Sequence, residues 1–283
     1  MKIGFGIVAV VWVMVCGCAK VNPKEGALLC HVGGTMRPAL QTLAELYEAE
    51  TGQAVEINSA GSGELLANIE LQAEGDLYVS HDPFLDIIMS RQLADEGWTV
   101  AELNPVIIVQ KGNPKRIRNL EDLARDDVEL ALTDYQLSTL GRMLPTIFTK
   151  AGMSLDALSE NKNIVIHRSG SYVANLVAMQ NVDAALVWKA VASLREDSLD
   201  CIEITKHLPE PYVDAITSAT GKSYKLRPVR VTICSLNCSK QPKAARQFIE
   251  FVVSERARKI LKEYGFGVSG HLRQEYEKGQ HLN

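Results

Sequence analysis

Apolar positions along this chain follow two rhythms in turn: short unbroken runs, then longer stretches spaced for one face of a helix. Leu28–Val32, Val55–Asn58, Asp76–Ser80, Val106–Val109, Val128–Thr133, Ile164–Ile166, Asp183–Trp188, Cys201–Ile204 and Val229–Cys234 read as strands. Met36, Ala39, Leu40, Leu43, Ala44 and Tyr47 predict a helix up to Gly52. Leu65, Leu66, Ile69 and Leu71 predict a second, and a third runs from Phe84 to about Gln92. Asn119, with Asp122 three residues on, predicts the N-cap of a short helix ending near Arg125. Beyond the loop Asp134–Ser138, a helix from Thr139 to Ala151 is kinked or delayed by Pro145. Ser169-Gly170-Ser171 introduces another through Tyr172, Leu176, Val177 and Met179, and one long helix spans Pro242 to Tyr264, closed by Gly265. This alternation of strand and helix predicts α/β layers with largely parallel sheets.

Two of the strand-to-helix connections, Gly33-Gly34-Thr35 and Gly61-Ser62-Gly63, combine small residues with a hydroxyl. Small residues let a ligand approach the backbone, and a helix N-terminus offers unpaired N–H groups and a partial positive charge. Thr35 and Ser62 are therefore candidate donors to one small anion. They equally suit plain N-caps, with the glycines serving tight turns.

The N-terminus bears on location. Lys2 precedes an apolar stretch, Ile3–Val15, and then Cys16-Gly17-Cys18, the layout of an export signal and too short for a comfortable membrane span. Val15-Cys16-Gly17-Cys18 resembles a bacterial lipobox, which implies cleavage before Cys18 and lipid on its sulfur; an ordinary signal peptide or an uncleaved anchor are the alternatives. Residues 18–26 then form a short polar tether. The expected location is periplasmic or extracytoplasmic, as a membrane-anchored lipoprotein. The whole chain has a net charge of −4, and removing Met1–Gly17, which carries one basic residue and no acidic one, makes it −5. With no basic block, no nucleic-acid partner is expected. About 265 residues suit two domains, and a hydrophobic content of 46% suits a packed globule.

Cys30, Cys201, Cys234 and Cys238 lie beyond the signal. Export permits disulfides and four cysteines allow three pairings; Cys234 and Cys238 are nearest, while Cys30 and Cys201 also suit free burial. Cys30, His31, Met36 and His81 are metal-ligand types, but Cys30 and His31 point to opposite faces of one strand and no close-spaced ligand pair exists. Neither metal nor cofactor is expected. The chain has no Gly-x-Ser-x-Gly elbow, no His-Glu-x-x-His and no phosphate loop, so catalysis is not expected either. Asp82 and Asp134 sit at strand ends, where α/β sites gather, but single carboxylates there more often serve as caps or turn residues.

Five segments together resemble a known family: strand–Gly-Gly-Thr–helix at 28–47, Ser-Ala-Gly-Ser-Gly at 59–63, Gly75–Ser80, Leu130–Asp134 ahead of a glycine-containing helix start, and Lys262-Glu263-Tyr264-Gly265-Phe266. In order and spacing they are similar to the substrate-binding proteins of bacterial ABC importers, specifically the molybdate-binding branch. The resemblance implies a two-lobe type II periplasmic-binding-protein fold, with residues 27–104 plus 207–283 in lobe 1, residues 105–206 in lobe 2 and ligand in the cleft between them. It also implies a monomer that closes around its ligand and presents it to an inner-membrane permease.

The same resemblance implies a molybdate- or tungstate-like oxyanion held by neutral hydroxyls and backbone N–H groups from both lobes. Gly34, Thr35 and Ser62 fall at the first lobe's contacts, Leu140-Gly141 at a backbone donor before the central helix, and Gly170-Ser171 at the next helix start. Trp188 falls where the family places a tyrosine and offers only an indole N–H. Leu140 is bulkier than the family's residue, whereas Thr35 keeps the hydroxyl of its serine. These departures leave two other readings open: lobes retuned for an organic or apolar solute, and a sensory binding protein outside transport. Arg37, Arg142 and Arg168 flank the site segments, either as charge-assisted donors or as solvated rim residues.

Overall fold

A computed structural model describes residues 26–161, 163–210, 213–217, 223–225, 228–268, 274–277 and 280–281. The predicted export signal, Cys18 and all but the last residue of the tether lie outside the described residues. In chain order the elements are β1 (Leu28–Gly33), α1 (Arg37–Thr51), β2 (Val55–Ala60), α2 (Ser62–Gln72), β3 (Leu77–His81), α3 (Phe84–Ser90), β4 (Gly97–Leu103) and β5 (Pro105–Gln110). Next come β6 (Leu130–Thr133), α4 (Thr139–Lys150), α5 (Leu155–Asn161), β7 (Ile164–His167), α6 (Gly170–Ala178), β8 (Ala184–Trp188), α7 (Lys189–Ala192) and β9 (Leu199–Glu203). The rest are β10 (Ala215–Thr217), β11 (Ser223–Lys225), β12 (Val229–Ser235), α8 (Pro242–Val252), α9 (Glu255–Glu263), β13 (Gln274–Glu277) and β14 (Gln280–His281).

The strands form two main sheets, in the orders β14-β13-β4-β12-β3-β1-β2 and β7-β6-β8-β5-β9, plus the small hairpin β10-β11. Both main sheets are mixed, with antiparallel β12 in the first and antiparallel β5 in the second. In the first sheet the period-two alternation of β3 sends Leu77 and Val79 to one side, with Leu40, Leu43, Phe248 and Ile249, and Tyr78 to the other, with Leu65, Ile69 and Ile88. Both faces are therefore covered, which is why these strands read as continuous apolar runs.

Strand direction fixes where the sheets meet. Because β12 is antiparallel to both β3 and β4, the C-terminal ends of β1, β3 and β4 share one edge of the first sheet. In the second sheet β6 is parallel to β7 and β8, and the first residue of β5, Pro105, pairs with the last of β8, Trp188. A single residue, Asn104, therefore links the carboxyl edge of one sheet to the carboxyl edge of the other. The return crossing obeys the same rule, since β9 leaves the second sheet beside Val106 and β12 enters the first beside Leu103. The joint is tied by Lys189 N–H donating to the Asn104 carbonyl (2.8 Å) and by Ser193 Oγ donating to the Tyr264 carbonyl (2.9 Å). Two carboxyl edges with their helix N-termini thus converge on one space, the arrangement in which open α/β sheets bind ligands.

Several elements differ from the sequence reading. The long C-terminal helix is two helices, because Ser254 takes an extended conformation and caps α9 by accepting from Ala257 N–H (3.3 Å). Pro145 does not break α4; Leu140, Leu144, Ile147 and Phe148 anchor that helix in the core on both sides of it. Strand β4, helix α5 and the β10-β11 hairpin were not foreseen. His207, Glu210 and Asp214, grouped with lobe 1 by resemblance, contact Lys150 at the end of α4. There the Lys150 ammonium pairs with Glu210 (3.3 Å) and Asp214 (3.0 Å), and His207 Nδ1 lies 2.9 Å from the Lys150 carbonyl. The four cysteines are all free thiols: Cys30 and Cys234 are buried on opposite faces of the first sheet, and Cys201 is exposed.

Candidate functional site

At the first edge, two strand ends and two helix starts are locked together. Gly34 N–H donates to the Ala60 carbonyl (3.0 Å), tying the end of β1 to the end of β2. That bond commits the Gly34 amide, so Gly34 shapes the turn and its N–H is not open to a ligand. Neither predicted hydroxyl acts as a cap. Met36 holds the cap position of α1 and Gly61 that of α2, and no side chain caps either helix. Thr35 is half-buried in the turn before α1.

Ser62, the first residue of α2, is held in place by Tyr78, whose hydroxyl donates to the Ser62 carbonyl (2.8 Å). Its side chain is 6% exposed and its Oγ has no hydrogen-bond partner. A buried hydroxyl without a partner costs about 1–3 kcal/mol, so native structures leave few of them. Gly33 is what makes room for it: a Cβ there would lie 2.5 Å from Ser62 Oγ and 2.7 Å from Met36 Cε.

The second edge carries Thr133, His167 and Trp188 at the ends of β6, β7 and β8. Thr133 is 2% exposed and its Oγ1 also has no partner; with Ser62 it forms the pair of orphaned buried hydroxyls among the described residues. Ser138 caps α4 by accepting from Gly141 N–H (3.0 Å), and Ser169 caps α6 by accepting from Tyr172 N–H (3.3 Å). The Gly141 amide is therefore occupied within the chain, and the residue serves packing: a Cβ there would meet the Asp134 carbonyl oxygen at 1.9 Å. Leu140 points its side chain into the core, which leaves only its backbone at the helix start. Gly170 and Ser171 open α6, where the first amides lack intrahelical partners. Trp188 is 7% exposed, belongs to the hydrophobic core and pairs in register with Pro105.

Most of the other polar candidates have partners of their own. Arg142 donates from Nε and Nη2 to the Gln136 carbonyl, and Asp134 Oδ1 accepts from the N–H groups of Gln136 and Leu137. Arg37 and Arg168 are exposed. Asp82 is buried and grips Arg230, with Nη2 to Oδ1 at 2.7 Å and Nε to Oδ2 at 3.0 Å, a two-point pair that staples β3 to β12. His31 is buried between the Glu74 carbonyl at Nε2 (3.0 Å) and the Asn58 amide at Nδ1 (3.0 Å), and burial lowers its pKa. Burial likewise lowers the pKa of His81, whose Nδ1 sits 2.8 Å from the Asp82 carbonyl. Among the described residues no group of three or more histidine, cysteine or acidic side chains stands close enough to hold a metal.

The two carboxyl edges thus carry two buried hydroxyls without partners, Ser62 and Thr133, beside the starts of α2, α4 and α6. Such a set donates hydrogen bonds to an anion and uses the positive ends of helices to offset its charge. The sequence reading does not single out Thr133, because it closes an otherwise apolar strand. The available signal was a hydroxyl at the carboxyl end of a parallel strand.

Comparison with known proteins identifies the family and the fold. The family model for bacterial extracellular solute-binding proteins matches residues 28–267. The molybdate-binding protein of Mycobacterium tuberculosis is 24% identical over 253 residues, covering 88% of each chain. Among solved structures, the periplasmic molybdate-binding protein of Azotobacter vinelandii superposes with a TM-score of 0.65 at 18% identity, covering 86% of this chain and all of that one. The sulfate-binding protein SubI of Mycobacterium tuberculosis superposes with a TM-score of 0.64 at 16% identity, covering 85% and 86%. Among the described residues no helix is long and apolar enough to cross a membrane.

Proposed function

Because this chain belongs to the bacterial extracellular solute-binding proteins, substrate-binding components of transporters rather than enzymes, we propose that it captures a small oxyanion of the molybdate and tungstate class between its two sheet edges. One observation carries the reading: Ser62 Oγ is buried and without a partner at the N-terminus of α2, in space kept open by Gly33. An oxyanion supplies the missing acceptor, and the hydrogen bond it receives is charge-assisted. The amides at the very start of the two helices, Leu140 in α4 and Gly170 and Ser171 in α6, ahead of those taken by the serine caps, would meet it from the other side. With neutral donors, selection rests on the anion's size and on how many of its oxygens can be reached. The burial of Leu140 in the core removes one of the two reasons for expecting an organic solute.

Calorimetry with molybdate, tungstate, sulfate and phosphate tests this. The wild type is expected to bind at least one of them, and Ser62→Ala to weaken that binding about 10- to 100-fold with little change in melting temperature. Silence of the wild type with all four anions overturns the proposal.

The motif ending at Cys18 supports a lipid anchor that keeps the protein at the membrane beside its permease. Metabolic labelling with a fatty acid should mark the wild type and not Cys18→Ala, which should also move to the soluble fraction. An unlabelled wild type contradicts the anchor.

A further inference from the structure

The second sheet carries an anion contact of its own in a side chain, and we infer that Thr133 provides it, a step that rests on the oxyanion reading above. Thr133 is the last residue of β6, lying between the starts of α4 and α6. Its carbonyl is 2.9 Å from where a Gly141 Cβ would be, and its Cγ2 is 4.0 Å from where a Gly170 Cβ would be. Both helices are already capped by serines, Ser138 and Ser169. Thr133 Oγ1 takes no part in either cap and stays buried without a partner.

Hydroxyls elsewhere in the chain find partners within it. Thr232 Oγ1 donates to the Ser80 carbonyl, and Ser254 Oγ accepts from Ala257 N–H. A donor left over at the meeting point of two helix N-termini suits a ligand oxygen that carries negative charge.

The inference makes an unusual joint prediction for affinity and stability. Thr133→Val keeps the shape and removes the hydroxyl. Sodium tungstate, followed by calorimetry, should bind this variant about 10- to 100-fold more weakly than wild type. In the absence of anion the same variant should melt at the wild-type temperature or about 1–3 °C above it, since an unpaired buried group has been taken away. Thr133→Ser, which keeps the hydroxyl, should bind within about 3-fold of wild type. A merely structural hydroxyl would lower affinity and melting temperature together. Wild-type affinity in Thr133→Val, or weaker binding with a parallel fall in melting temperature, overturns the role of Thr133. If Ser62→Ala weakens tungstate and Thr133→Val does not, only this inference falls. If the wild type binds none of the four anions, the oxyanion reading falls and takes this one with it.

Discussion

Replacing Gly141 with alanine is expected to destabilise the protein by at least about 3 kcal/mol, even though alanine is the better helix former by about 1 kcal/mol. The sign is set by what the new methyl meets. Its Cβ would lie 1.9 Å from the Asp134 carbonyl oxygen, 2.4 Å from the Asp134 carbonyl carbon and 2.9 Å from the Thr133 carbonyl oxygen. All three are backbone atoms, and the Asp134 segment is pinned by the bonds from the Gln136 and Leu137 amides to its own carboxylate and by Asp134 N–H donating to the His167 carbonyl (3.1 Å). No rotamer change relieves that overlap, so α4 must lift away from β6 and loosen Leu140, Leu144 and Phe148 in the core. Urea unfolding measures the effect. A variant as stable as wild type would show that α4 does not approach β6 this closely.

Gly33→Ala gives the opposite pattern: a folded protein that does not hold its anion. Here the Cβ would meet Ser62 Oγ at 2.5 Å and Met36 Cε at 2.7 Å, both of them ends of side chains that can rotate. The stability cost should stay near about 1 kcal/mol. The rotation of Ser62, however, removes its hydroxyl from the place where the ligand needs it, and the methyl takes the space the hydroxyl held. Loss of a charge-assisted hydrogen bond together with that obstruction predicts a fall in oxyanion affinity of about 100-fold or more. Thermal melting and calorimetry on the same preparation separate the two quantities. Unchanged affinity in a folded Gly33→Ala protein would count against Ser62 as a ligand contact.

Much of the fold was legible because burial on both faces writes strands as unbroken apolar runs, as in Val106–Val109 and Ala184–Trp188. Helix starts were legible where serine supplies a cap, as at Ser138 and Ser169. The short helix expected after Asn119 is instead a 3-10 turn, Glu121–Ala124, with Leu120 at its cap position, although Asn119 Oδ1 accepts from Asp122 N–H. The split at Ser254 was hidden because Phe248, Ile249, Val252, Ala257 and Leu261 keep apolar residues at helical spacing across the break. Strand β4 was hidden for a related reason: Thr99 and Glu102 interrupt its apolar run, and its pairing with β12 connects residues more than 120 positions apart.

Of the two glycine-flanked hydroxyl turns, Gly61-Ser62-Gly63 holds a buried hydroxyl without a partner, while Thr35 in the other is half-buried. The sequence could not distinguish an amide open to a ligand from one used internally. Gly34 and Gly141 therefore looked like donors until Ala60 and Ser138 were seen to occupy them. Asp82 gave no sign of its partner either, since Arg230 lies 148 residues away and meets it only through the pairing of β3 with β12.

The central claim is that one oxyanion sits between the two carboxyl edges and satisfies a hydroxyl from each. Crystals grown with tungstate, with data collected at a tungsten absorption edge, locate the anion without reference to the protein's phases. The account predicts a single strong anomalous peak per molecule, with anion oxygens within hydrogen-bond distance of Ser62 Oγ and Thr133 Oγ1. A peak elsewhere on the surface, or none in a protein that binds tungstate in solution, would contradict it.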